Sequence, residues 1–135
     1  MRRGVVDLFG PGAELDHVGL AAARIDDVIP GLDRVTDPIQ RVTVGFFDLH
    51  GLVIEAIEPA SDSSPISSQL AKGNRLLHLC YRVPDLQSAI ASARSKGLLP
   101  LAKPVPAKAF DGLRIAWLFS RTMGLFELLE TPREK

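Results

Sequence analysis

Apolar residues fall into short blocks bounded by Gly, Pro or Asp rather than into long stripes. The blocks 15–21 (LDHVGLA), 41–49 (RVTVGFFDL), 51–58 (GLVIEAIE), 76–83 (LLHLCYRV), 113–119 (LRIAWLF) and 124–130 (GLFELLE) predict β-strands. One segment changes period. In 85–96 (DLQSAIASARSK), Leu86, Ala89, Ile90 and Ala93 recur at helical spacing, with Asp85 placed to cap the start and Gly97 the end. A shorter helix is predicted over 65–72 after the polar turn at 61–64, and the proline-rich 100–106 reads as an extended connector or sheet edge.

The blocks repeat. Segment 15–29 (LDHVGLAAARIDDVI) aligns with 76–90 (LLHLCYRVPDLQSAI), and both place His third. Segment 45–58 (GFFDLHGLVIEAIE) aligns with 116–130 (AWLFSRTMGLFELLE), each ending in a strand with an internal Glu. His17 precedes Glu55 by 38 residues and His78 precedes Glu127 by 49, so the first half is 11 residues shorter. The shortfall lies between Pro30 and Thr43 and predicts a first helix of one or two turns at most, or a truncated strand.

Side chains alternate faces along a strand, which puts His17, Glu55, His78 and Glu127 each among apolar neighbours. A buried carboxylate or imidazole without a partner is costly, so four at equivalent positions of two repeats are expected to meet. Two His and two Glu together form a divalent metal set. It suits Mn²⁺, Co²⁺, Ni²⁺, Fe²⁺ or Zn²⁺ better than Ca²⁺. His50 has no repeat counterpart and reads as an exposed turn residue.

Composition narrows the function. Lys+Arg and Asp+Glu both number 16, which argues against nucleic acid or an anionic membrane as partner. With 46% apolar residues the chain is expected to fold as a single domain over 1–135. The single Cys80 fits a reducing compartment, and Asp7 interrupts the apolar start, so a cytoplasmic location is expected.

At these residues the sequence resembles the vicinal oxygen chelate superfamily, the glyoxalase/bleomycin-resistance fold, and within it the methylmalonyl-CoA epimerases. The resemblance rests on DHVGLA, on IEAIEP followed by SPISSQLAKG, on LLHLCYRVPDLQSAIASARSKG and on GLFELLE. It implies an α+β fold of two βαβββ modules forming a curved mixed sheet around a cup. Module one spans about 14–60, a helix and connector 61–75, and module two about 76–131. It also implies metal ligation by His17, Glu55, His78 and Glu127. The family's first helix is not recognisable in 24–40, and its glycine-rich loop appears here as AKAFDG, 107–112.

The implied chemistry is removal of a proton α to a carbonyl on a small-molecule substrate such as an acyl-CoA. Glu127 is the first candidate base and Glu55 its pseudo-symmetric counterpart. Arg82 is a candidate for a substrate carboxylate or phosphate, and Asp48 for the rim. A homodimer is expected from the resemblance. Two other readings stand beside this one: a glyoxalase-type lyase or other metalloenzyme of the same fold, and a binding or resistance protein without catalysis.

Overall fold

The computed structural model describes residues 1–132. The first module comprises β1 (Glu14–Ala21), a single 3₁₀ turn (Ile25–Asp27), β2 (Val35–Asp37), β3 (Val42–Leu49) and β4 (Leu52–Pro59). Helix α1 (Pro65–Ala71) leads to the second module: β5 (Leu76–Val83), α2 (Leu86–Ser95), β6 (Leu99–Pro100), β7 (Val105–Pro106), a 3₁₀ turn (Lys108–Phe110), β8 (Arg114–Ser120) and β9 (Gly124–Glu130). The nine strands among the described residues form one mixed sheet in the order β2-β3-β4-β1-β5-β9-β8-β6, with β7 also on β8.

The repeat is visible in the register. Parallel pairing sets Gly19 beside Glu55 in β1/β4 and Cys80 beside Glu127 in β5/β9. The two halves join where β1 and β5 run antiparallel at the centre of the sheet. The fold is therefore α+β with two equivalent modules, as the sequence implies. The shortened first module keeps its strands and loses its helix: one 3₁₀ turn and the three-residue β2 occupy 24–40. Strand β2 is too short to show a period in the sequence.

Local chemistry explains the helices. The Asp85 side chain accepts from Ser88 N at 2.9 Å to start α2. Gly97, at φ +91°, ends it, with Gly97 N bonding Arg94 O and Leu98 N bonding Ala93 O in a Schellman closure. Ser64 caps α1, whose first residue is Pro65. The proline-rich stretch is an interrupted edge strand, since β6 and β7 both pair with β8.

Helix α2 packs on the outer face of the second module. Leu86, Ala89 and Ala93 meet Val83, Leu118, Phe126 and Leu128 there in a core closed by Phe9. The first module has no helix to lay on that face. Its loop lies flat instead: a Cβ on Gly45 would stand 2.7 Å from Asp33 O and 2.9 Å from Leu32 Cδ2. Glycine at 45 is what permits this close approach.

The inner face curves until its two edges are cross-linked. Asp37 of β2 accepts Lys108 N through Oδ2 at 3.1 Å, and Trp117 Nε1 donates to Gln40 Oε1 at 3.1 Å. The result is a cup lined by Val42, Val44 and Ile57 on one side and Ile115, Ala107 and Trp117 on the other.

Leu118 is fully buried beneath α2, on the side of the sheet away from the cup. Leu118→Ala is expected to lower unfolding free energy by about 2–5 kcal/mol, measured by urea denaturation of the metal-free protein.

Candidate metal centre

The cup floor carries four polar side chains on four different strands. His17 on β1, Glu55 on β4, His78 on β5 and Glu127 on β9 are all buried, at 0, 6, 5 and 2% exposure. The Nε2 atoms of His17 and His78 lie 3.3 Å apart. Glu127 Oε1 stands 3.1 Å from the first and 3.2 Å from the second, and Glu55 Oε1 3.3 and 3.5 Å from them. One ligand atom from each residue thus falls in a single cluster within 4.8 Å.

Gly19 makes room for this cluster. It pairs across the sheet with His78, and a Cβ there would stand 2.1 Å from His78 Cε1. The imidazole therefore rests on the backbone of β1. At the equivalent position of the other half, Cys80 pairs with His17. Its thiol is pushed up by burial and stays protonated. Aromatic rings wall the imidazoles: Phe110 stacks on His17, Phe46 meets it edge-on, and Trp117 stands perpendicular to His78 at 4.8 Å.

Two β-bulges lie beside the histidines. Between β1 and β5, Leu15 pairs with Tyr81 but His17 with Cys80, so Asp16 is an extra residue. Strict alternation would set Asp16 on the face opposite His17. The bulge brings its Oδ2 to 2.8 Å from His17 Nδ1. A second shift, between Gly19 and Leu20, makes Leu77 the extra residue beside His78.

Burial opposes charge on both histidines, yet the acceptors around them outweigh it. Asp16, Cys80, Glu127 and Glu55 hold His17 well above the ordinary imidazole range. His78 is likewise raised, by Glu127 and Glu55. Burial pushes Glu127 up, but both imidazoles overcome this and keep it below the usual carboxylate range. Without a metal the cluster is a set of buried ion pairs.

The donor set fits a first-row divalent ion. Ligand atoms held about 2.0–2.2 Å from one ion stand roughly 3–3.5 Å from each other, which is the spacing seen between the histidine nitrogens and the carboxylate oxygens. Glu127 Oε1 is buried yet receives no hydrogen bond of acceptable geometry among the described residues. An acceptor in that position calls for a cation. Two imidazoles and two carboxylates together neutralise a dication and match the borderline metals.

Above the cluster opens a cavity of about 640 Å³, reached by Glu55, His78 and Glu127 and walled by Val44, Ile57 and Trp117 among others. Gln69 and Asn74 stand among its lining residues. Arg82 and Asp48 are not among them. Arg82 is engaged by Glu14 at 3.0 Å and Asp16 at 3.3 Å, which takes its charge away from the cup. Asp48 is exposed near the β3–β4 turn, where His50, also exposed, adopts φ +50° before Gly51 at +89°. Sequence reading missed Asp16 and Gly19, because a bulge and a missing Cβ leave no trace in alternation. The adjacent Asp16–His17 pair was the only available signal.

Two measurements bear on the cluster. Gly19→Ala is expected to displace His78 and weaken metal binding about tenfold or more, read by calorimetric titration with Co²⁺. The raised histidines carry protons near neutrality in the metal-free state and must lose them to ligate. Metal uptake is therefore expected to release protons, and apparent affinity to rise as pH increases from about 6 to 8. Calorimetry in buffers of different ionisation enthalpy counts the released protons.

Known proteins share this architecture. Residues 15–117 match the family model of the glyoxalase/bleomycin resistance protein/dioxygenase superfamily. The chain is 31% identical to the protein YqjC of Bacillus subtilis, over 88% of this chain and 92% of that one. A solved structure of the protein BH1468 of Bacillus halodurans superposes with TM-score 0.76 at 28% identity, covering 92% of this chain and 98% of the other. Methylmalonyl-CoA epimerase of Mycobacterium tuberculosis superposes with TM-score 0.76 at 23% identity, covering 97% and 94%, and so shares the fold. The family match takes in nearly all of the first module and most of the second: the chain belongs to the glyoxalase/bleomycin resistance protein/dioxygenase superfamily.

Proposed function

We propose that the protein is a divalent-metal-dependent enzyme that removes a proton α to a carbonyl, with epimerisation of a methylmalonyl-CoA-like thioester as the reaction it fits best. The observation that carries this reading is the meeting of two imidazoles and two carboxylates at the floor of an apolar cavity, with Glu127 Oε1 left without a hydrogen bond among the described residues.

Bound there, a divalent ion supplies Lewis acidity to substrate oxygens and so stabilises the negative charge that develops as the α-proton leaves. His17 and His78 hold the site through Nε2. Glu127 is the proposed base. Its Oε1 lies against the histidines, which leaves Oε2 to take the proton. In the metal-free protein the two imidazoles keep Glu127 below the usual carboxylate range, so it offers an ionised oxygen to an incoming ion. Glu55, on the strand equivalent to that of Glu127, is the proposed second base for return of a proton from the other side. The walls of the cavity are mostly apolar, which strengthens charge interactions at its floor. A cytoplasmic homodimer belongs to the same proposal.

The test is α-proton exchange of methylmalonyl-CoA in D₂O by metal-loaded protein, followed by NMR. Exchange is expected in the wild type. Glu127→Gln is expected to lower its rate about 100-fold or more while metal binding stays measurable, because an amide oxygen still ligates but takes no proton. A fully loaded wild type that exchanges nothing retires the epimerase reading. Smaller 2-oxo and 2-hydroxy carbonyl compounds then become the substrates to screen, as for a glyoxalase-type lyase.

A further inference from the structure

The two histidines of the cluster are not equivalent. His17 Nδ1 faces Asp16 Oδ2 at 2.8 Å, and with the carboxylate oxygen as acceptor the imidazole donates from Nδ1. Nε2, the atom 3.1 Å from Glu127 Oε1, is then the nitrogen that would present its lone pair to a metal ion. Asp16 is itself held. Arg82 Nη1 donates to its Oδ1 at 3.3 Å while Arg82 Nη2 donates to Glu14 Oε2 at 3.0 Å. A chain thus runs from the sheet end inward: Glu14, Arg82, Asp16, His17, cluster.

The other half lacks this chain. The residue equivalent to Asp16 is Leu77, extra in its own bulge, and it lines the cavity instead. Among the described residues, no side-chain acceptor bonds His78 Nδ1; its ring is seated by the bare backbone of Gly19. One histidine is oriented by charge, the other by shape.

We infer that Asp16 is a positioning residue for His17, fixing its tautomer and ring plane toward a metal ion, and that Arg82 is a positioning residue for Asp16. The inference rests on the metal reading above. A carboxylate behind a ligating imidazole sharpens its orientation and raises its basicity, and losing such a partner weakens metal binding about 10–100-fold. Arg82 contributes less, because its side chain is 41% exposed and its bond to Asp16 is long.

The test uses Co²⁺ and Zn²⁺ on the full chain. Asp16→Asn is expected to weaken Co²⁺ affinity about tenfold or more and to shift the visible Co²⁺ spectrum, with thermal unfolding of the metal-free protein near that of wild type. Arg82→Gln is expected to weaken affinity about two- to fivefold. In Zn²⁺-loaded wild type, NMR is expected to show a slowly exchanging downfield Nδ1 proton on His17 and none on His78, and Asp16→Asn is expected to lose it. Wild type that binds neither metal overturns the metal reading, and this inference with it. Wild type that binds, with Asp16→Asn matching it within about threefold and keeping the same spectrum, overturns the positioning role alone. An Asp16→Asn protein that unfolds is replaced by Asp16→Glu, which keeps the charge; restored affinity and spectrum in that variant support the role, and their absence in a folded variant overturns it.

Discussion

Two carboxylates and two imidazoles are buried at the middle of an otherwise apolar sheet, and they are tolerable there only together. Any one of them alone would bear the cost of an unpaired buried polar group, several kcal/mol in order of magnitude. Their register follows from this. Each sits on one of the four central strands, and the parallel pairs β1/β4 and β5/β9 bring each carboxylate strand beside a histidine strand. A shift of one residue in any of these strands would turn its polar group to the outer face and strand the other three.

Small irregularities complete the cluster. A regular antiparallel pair of β1 and β5 would leave Asp16 on the wrong side and press a Cβ into His78. The bulges and Gly19 remove both conflicts. They also break the symmetry that the repeat establishes. The repeat supplies four equivalent ligand positions, and differences at single residues, Asp16 against Leu77 and Gly19 against Cys80, make the two histidines differ in what holds them.

Loss of the first helix has been absorbed without opening the site. The outer face of the first module is covered by a flat loop over Gly45, while the inner face is closed by bonds between its two edges, Asp37 to Lys108 and Gln40 to Trp117. The floor of the cup depends on the strands and on those edge contacts, and α2 lies on the far side of the sheet. The departure from the family pattern in 24–40 therefore alters the outer surface and the rim, and leaves the floor intact.

The repeat, the strand blocks, α2 with its caps and the four polar residues of the floor were all legible in the sequence. Each is a local pattern: a period, a cap, or a charged residue among apolar neighbours. Their convergence was also legible, because burying charge forces partners to be found and the repeat names them. The three-residue β2, the bulges at Asp16 and Leu77 and the cradle at Gly19 were not. Nor was the diversion of Arg82 to Glu14 and Asp16, away from the cup. These depend on which strand lies opposite which, at what offset, and on where a second edge arrives across the sheet. Such distances are set by tertiary packing between residues as far apart as Asp16 and Arg82, and no periodicity along the chain encodes them.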